Sequence, residues 1–352
     1  AGQEVAQHYN QVLQSSIASR AESRAFYLRN FNNWVKSVLI GSHLRIIERQ
    51  FINSDIRVLD LCSGKGGDLL KWRKGGVAKI VFVDIADVSV EQCRRRYGEM
   101  AEQQQRDGRG RLPRAEFHVA DATAVRLRDL QPAWPQFHLV SCQFSLHYCF
   151  QSYQAARQFV RNACESLLPG GYFIGTLPDA NEIVRRLRRK PGSEAAFGNG
   201  VYNVTFSSSA VKTQQVPLFG CKYHFSLEKQ VQDCPEYLVY FPVLEQLCSE
   251  YGLRCTLRQN FAKFYRDHVT QPEWRSLLGV MQSLEPYPNA DGVELKSQVE
   301  GDYRAAQAYL NGDGRCDTEE DERDRNGPVG TLSMEEWEAA TLYMVFAFQR
   351  AE

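Results

Sequence analysis

The chain has 352 residues, 43% hydrophobic and 24% charged, a balance that fits a folded globular core and excludes fibrous and disordered classes. Lysine plus arginine equals aspartate plus glutamate at 42 each, so overall charge announces no nucleic-acid partner, although Arg185–Lys190 is a local basic run. Ten cysteines stand without CxxC pairs, the usage of reduced thiols, and no apolar run approaches the roughly 18 residues of a membrane span.

Nothing at the start reads as a secretory signal, so the compartment reads as intracellular. Ala1 stands where a methionine would, and we expect a preceding segment that carried targeting information.

In chain order, apolar residues at helical spacing (Phe26, Leu28, Phe31, Val35, Leu39) predict a helix within 21–49, followed by a strand over 56–61. A small-residue loop leads to a helix near 69–74, a strand at 79–84 and a helix from about 88 to 103. Strands at 116–119 and 138–143, a helix at 153–168 and a strand at 171–176 continue the rhythm. Strands alternating with helices predict a parallel sheet covered by helices.

After Pro178 the rhythm changes. Strands at 201–206 and 221–227 predict an inserted antiparallel subdomain. A strand-like 237–241, a helix to about 251 and a strand at 254–257 return to the main layer. Residues 311–330, dense in Gly, Asp, Glu and Arg, read as a flexible surface loop before a helix-or-strand pair at 334–340 and 342–348. The basic run at 185–190 reads as a solvated helix face.

The first strand ends at Asp60 and enters Leu61-Cys62-Ser63-Gly64-Lys65-Gly66-Gly67-Asp68. In doubly wound folds a ligand sits beyond the carboxyl ends of the strands, where glycines let backbone approach it. Asp84 ends the second strand, placed to accept hydrogen bonds from a ribose diol. Asp121 follows the third, where a carboxylate can meet an adenine amino group. The Walker loop fails because no Ser or Thr follows a GK pair, and Cys62-x-Gly64-x-x-Gly67 lacks the first glycine of GxGxxG. Three strand-end features without a phosphate loop point to an adenosyl group.

The residues also carry a family resemblance. Phe26–Lys36, Asp60–Asp68, Asp84-Ile85-Ala86, Cys142-Gln143-Phe144 with His147-Tyr148, Phe219–Tyr223 and Pro235–Val239 occur in order. This series closely resembles the eukaryotic messenger-RNA cap guanine-N7 methyltransferases, over His8 to Phe348. The family usually carries Gly-Cys-Gly where this chain has Cys62-Ser63-Gly64. The resemblance implies a class I methyltransferase-like doubly wound α/β fold, with a mostly parallel sheet and an inserted antiparallel subdomain.

It also implies S-adenosylmethionine as donor, S-adenosylhomocysteine as product, and N7 of the terminal guanine of 5′-capped RNA as acceptor. By that likeness Lys36, Cys62, Gly64, Asp84, Asp121, Gln143 and Tyr148 surround the cofactor. Asn32, Asn33, Lys65, Lys71, Arg96, Phe144, His147, Glu236 and Tyr343 surround the cap. Guanine N7 carries a lone pair at neutral pH, so we expect positioning without a general acid or base, and no metal. Glu236 fits guanine selection, since a carboxylate accepts from both N1–H and the exocyclic N2 amine.

We expect one domain over 1–352: a cofactor half at about 20–178, an insert at about 195–235, and substrate-side and closing elements at about 236–352. The family implies a nuclear location and an activating or capping-machinery partner; we expect a monomer without membrane attachment. Two other readings stay open: a catalytically weak scaffold or RNA-binding subunit, and a methyltransferase for another nucleotide or small molecule. A calcium loop at 311–322 is rejected because Arg315 and Cys316 fall at ligand and glycine positions. A Cys142 nucleophile is rejected because methyl transfer needs no covalent intermediate.

Overall fold

A computed structural model describes residues 23–352, apart from 109–110, 213–215, 230, 291–292 and 313–327. The first long element is α1, Phe26–Gln50, which buries Leu28, Phe31, Val35, Val38 and Leu39 along one face. Its first turn leaves backbone N–H groups without intrahelical partners. One of them, Leu28 N–H, donates to the buried Glu336 carboxylate at 3.1 Å, which anchors the helix that carries Asn32, Asn33 and Lys36.

The central sheet is built from β1 (Arg57–Leu61), β2 (Lys79–Asp84), β3 (Arg114–Val119), β4 (Phe137–Gln143) and β5 (Leu167–Pro178), all parallel. Two later strands complete it: β10 (Leu253–Asn260) and β13 (Tyr343–Arg350), the latter antiparallel to both β5 and β10. The order across the sheet is β10-β13-β5-β4-β1-β2-β3. The buried runs Val58-Leu59 and Ile80-Val81-Phe82 reflect strands covered on both faces. Between them run α2 (Leu69–Lys74), α3 (Asp87–Asp107) and α4 (Tyr153–Cys164). One face packs on α1 and α2; the other packs on α4 and α6 (Phe241–Ser249).

After β5 come α5 (Ala180–Arg189) and a separate antiparallel sheet: β6 (Ala196–Gly198), β7 (Tyr202–Phe206), β8 (Lys222–Leu227) and β9 (Val231–Tyr237). The expected pair of inserted strands is thus a four-stranded sheet. The strand expected at 237–241 is corrected: β9 ends at Tyr237, and Phe241 with Pro242 opens α6, where proline suits the first helical turn. The helices α7 (Phe261–Val269), α8 (Pro272–Val280) and α9 (Arg304–Leu310) had no distinct counterpart in the periodicity. A small pair, β11 (Glu285–Tyr287) with β12 (Val329–Thr331), takes two residues of the segment expected to be a loop. Most of that segment, with the rejected calcium loop, lies outside the described residues. The ambiguous C-terminal pair is α10 (Met334–Ala340) followed by β13.

Two buried histidines bond backbone, one within α1 and one between β1 and β4. His43 bonds the Leu39 carbonyl at 2.8 Å through Nδ1, and His138 Nδ1 accepts the Arg57 N–H at 3.0 Å. Burial pushes both imidazoles down to about 4. A depressed histidine contributes stability above its unfolded value near 6.5, and that contribution is lost as pH falls towards 4. Asp60 and Glu336, pushed up by burial to about 8 and about 7, act in the opposite sense. The expected result is therefore a difference: going from pH 7 to 5 should cost the wild type about 1–2 kcal/mol more than a His138→Gln variant, by urea unfolding at each pH. Equal costs would show that His138 takes up no proton on unfolding.

Candidate active site

β1 turns to one side of the sheet and β4 to the other, so a crevice opens beyond their carboxyl ends at the topological switch point. There the structure contains a cavity of about 320 Å³. Lys36, Cys62, Gly64, Asp84, Asp121, Gln143 and Tyr148 all line it. The structure therefore brings together around one cavity the residues that the family likeness assigned to the cofactor. It adds Ser89 from the first turn of α3, Cys149 from the helical turn Leu146–Gln151, and Thr123 and Ser145 from loops, small residues with no signal of their own.

Each strand end contributes a fixed acceptor. Asp84 takes the Gly64 N–H at 2.7 Å and the Ala86 N–H at 2.9 Å, so the acid clamps the glycine loop to the second strand. Burial nevertheless raises its carboxyl above the ordinary value. Asp121 accepts from Thr123 N–H at 2.9 Å and from its hydroxyl at 2.6 Å, an Asx turn that aims the loop after β3. Gln143 Nε2 donates to Ser141 at 3.0 Å, while Thr176 donates to Gln143 Oε1 at 3.2 Å. With both ends of its amide bonded, Gln143 presents a fixed edge to the cavity.

The loop itself is unusual at Cys62. Its φ is +56°, in the left-handed region that favours glycine. A contact with Cys142, and then burial, raise the thiol well above its ordinary value, so it stays protonated. Gly66, at φ +72°, could not accept a Cβ without closing to 2.7 Å on Cys93 Sγ.

Behind the cavity wall lies a charged cluster. Lys36 and Lys71 both stand 2.8 Å from Asp68, and Lys71 Nζ also donates to Asn33 Oδ1 at 2.5 Å. Asp60 lies buried nearby and accepts from Trp72 Nε1 at 3.0 Å. Burial pushes Asp68 up, but the two ammonium groups outweigh it and hold the carboxyl at about 2. Burial first, and then Asp68, drive Asp60 to about 8. At neutral pH the cluster is thus two cations, one anion and one neutral acid, with one positive charge in excess. Lysines 36 and 71 share it, beside Asn33. Neither Asp60 nor Asp68 had a role assigned from sequence, because a carboxylate in a motif does not reveal which cations it faces.

On the far side of Gln143 the residues proposed for the cap divide into groups. Phe144, also at positive φ (+56°), turns its ring edge-on to Tyr343 at 5.2 Å and to Phe261 at 6.0 Å. Phe225 meets Tyr343 at 6.4 Å. These rings form an aromatic box, of which Phe225 and Phe261 drew no role from the sequence. Glu236 is buried, its Oε1 3.3 Å from His147 Nε2 and its Oε2 accepting from Tyr223 Oη at 2.6 Å. His147 stacks obliquely on Tyr148 at 4.2 Å. Asn32 keeps a buried Oδ1 with no hydrogen-bond partner among the described residues. Lys65 and Arg96 stand together, Arg96 Nη1 bonding the Lys65 carbonyl at 2.9 Å, while Lys71 belongs to the cluster with Asn33.

The sequence profile of the mRNA (guanine-N(7))-methyltransferase domain matches residues 1–351. The chain belongs to this family. The mRNA cap guanine-N(7) methyltransferase of Drosophila melanogaster is 43% identical over 99% of this chain and 77% of its own length. That of Caenorhabditis elegans is 42% identical over 99% of the chain and 86% of its own. The mRNA cap guanine-N(7) methyltransferase 1 of Oryza sativa subsp. japonica is 36% identical over 98% and 80%. The methyltransferase takes its methyl group from S-adenosylmethionine and leaves S-adenosylhomocysteine. Its crevice fits that group: the acid that ends β2 and another after β3 face a largely apolar cavity beside the half-buried Lys36 ammonium, and the sequence has no phosphate loop.

Proposed function

We propose that this enzyme transfers a methyl group to N7 of the terminal guanine of 5′-capped RNA by positioning alone. The observation that carries the reading is the cavity at the switch point adjoining, through Phe144 and Tyr148, the buried Glu236 and its aromatic surroundings. S-adenosylmethionine supplies the activated methyl on its sulfonium. In this reading Asp84 accepts from the ribose hydroxyls, Asp121 from the adenine amine, and Lys36 meets the carboxylate of the methionine part. Glu236 accepts from guanine N1–H and N2, and Lys65, Lys71 and Arg96 meet the triphosphate bridge. The purine packs in the box of Phe144 and Tyr343.

No proton has to leave N7 before it attacks, so no side chain acts as base. What the protein contributes is alignment, worth roughly 7–11 kcal/mol in a two-substrate reaction, and exclusion of water. The test is methyl transfer from labelled cofactor to GpppRNA and ApppRNA. Strong labelling of the first alone is expected. Equal labelling of both would remove the guanine assignment, and none with intact cofactor binding would favour a scaffold.

Cys62 makes a sharper point about the cofactor loop. The family's usual glycine carries no strain at φ +56°, whereas a side chain there costs about 1–2 kcal/mol. Cys62→Gly should tighten S-adenosylmethionine binding by about two- to tenfold in calorimetry, through closer ligand approach, while relief of the strain acts on stability alone. Weaker binding would mean that the thiol itself contributes contacts.

We further read 1–352 as one methyltransferase domain, because β13 near the end of the chain pairs with β5 from its cofactor half. A role in RNA processing goes with the family. A nuclear location and a capping-machinery partner extend that reading. Among the described residues no helix is long and apolar enough to cross a membrane.

A further inference from the structure

The inserted four-stranded sheet holds a pair that the cofactor half does not need. Tyr223 on β8 and Glu236 on β9 are directly opposite each other in the antiparallel register. Both are buried, and the phenol donates to Glu236 Oε2 at 2.6 Å. On the other side, His147 from the turn Leu146–Gln151 places Nε2 at 3.3 Å from Oε1. That nitrogen makes no hydrogen bond, so the Tyr223 phenol is the one side chain bonded to the carboxylate among the described residues. A carboxylate has two oxygens and about four lone-pair directions, so this bond leaves one direction on Oε2 and both on Oε1 for a ligand. Without it the group can rotate about its last bond and lose one of two ligand contacts.

Burial, and then the neighbouring carboxylate, push the Tyr223 phenol well above its ordinary value. It therefore remains a donor at any working pH. Its ring is held independently by Phe206, its cross-strand neighbour on β7, with centroids 5.5 Å apart.

We propose that Tyr223 is a positioning residue for cap recognition, fixing the plane of the Glu236 carboxylate so that both oxygens face the N1–H and N2 amine of guanine. The inference rests on the reading of Glu236 as the guanine acceptor. It makes the inserted sheet part of base selection, since β8 and β9 carry the reader of the base and the residue that aims it.

The test compares GpppRNA, ApppRNA and IpppRNA, whose inosine lacks the N2 amine, in the full chain. For Tyr223→Phe, KM for GpppRNA is expected to rise about ten- to a hundredfold, the effect of removing a hydrogen bond to a buried charge. S-Adenosylmethionine affinity should stay within about twofold, and the preference for GpppRNA over IpppRNA should fall at least about fivefold, since a rotating carboxylate reaches only one donor. Equal losses on all caps, with the preference intact, would overturn the proposal. Phe206→Leu loosens the same ring without touching the hydroxyl; it should lower the thermal midpoint and keep the preference, and its loss there too would assign the effect to packing. Tyr223→His, which keeps a ring with an N–H donor, serves if phenylalanine does not fold: a retained preference supports the proposal and a lost one opposes it. A wild type equally active on GpppRNA and ApppRNA would remove the Glu236 reading itself, an outcome separate from the others.

Discussion

Glu236→Gln should lower kcat/KM for GpppRNA by about a hundred- to a thousandfold while leaving S-adenosylmethionine affinity within about twofold. Guanine presents two donors on one edge, N1–H and the N2 amine. A carboxylate can accept both, but a carboxamide offers one acceptor and turns its own N–H₂ against the second donor. The site is buried, so the mismatch leaves polar groups without partners and without water to replace them. Tyr223, whose hydroxyl needs an acceptor at 2.6 Å, would compete for the one remaining carbonyl oxygen. Steady-state kinetics with varied capped RNA, beside calorimetric titration of the cofactor, gives both numbers. A loss under about tenfold would mean that Glu236 only completes the structure of the β8–β9 pair.

Asp68→Ala should destabilise the fold by about 3–5 kcal/mol and weaken cofactor binding, whereas Asp60→Asn should change stability by less than about 1 kcal/mol at pH 7. The asymmetry follows from which acid is charged. Asp68 is held at about 2 by Lys36 and Lys71, so at neutral pH it is the anion between two largely buried ammonium groups. Removing it leaves two like charges facing each other, the costly way to break a buried pair. Lys36 would then lose the contact that holds it at the cavity wall. Asp60, at about 8, is already mostly protonated, and asparagine keeps an acceptor for the Trp72 N–H.

The sign of the pH dependence differs in the same way. The stability from Asp68 is present above its unfolded value of 3.8 and is lost as pH falls towards 2. Asp60, raised in the fold, is most favourable at low pH and loses stability as pH rises from 3.8 towards 8. Urea unfolding and cofactor titration of both variants check the contrast. Equal destabilisation at pH 7 would show that Asp60 is ionised in the folded protein.

The parallel half of the fold was legible because its strands are buried on both faces and read as short apolar runs ending in acids: Leu59-Asp60, Val83-Asp84, Ala120-Asp121. Those acids fall where a doubly wound sheet presents its ligands, so local pattern and global position agreed. Agreement failed where position in three dimensions decides. Tyr237–Phe241 looked like a strand because its aromatics suit one, yet Pro242 supports a helix start that periodicity alone did not reveal. The helices α7 and α8 are short, and their apolar residues pack on α1 and β10 in a pattern too brief to show a period. On the cofactor side the glycine loop, Asp84 and Asp121 were legible from pattern, whereas Lys36, Gln143 and Tyr148 came through likeness to a family. The cap side was read through likeness to a family, and its supporting residues Tyr223, Phe225 and Phe261 emerged only when the strands were paired.

The position of β13 bears on the order in which the enzyme is made. A ribosome delivers β5 long before residues 343–350, and until then the edge of β5 stays open and β10 has no strand to pair with in the sheet. Tyr343, at the first residue of that last strand, pairs with Pro178 and supplies a wall of the aromatic box. The helix that carries Lys36 is itself anchored by Glu336, so the wall of the crevice and the box beside it both wait for the last described elements. The two halves of the site are therefore completed together.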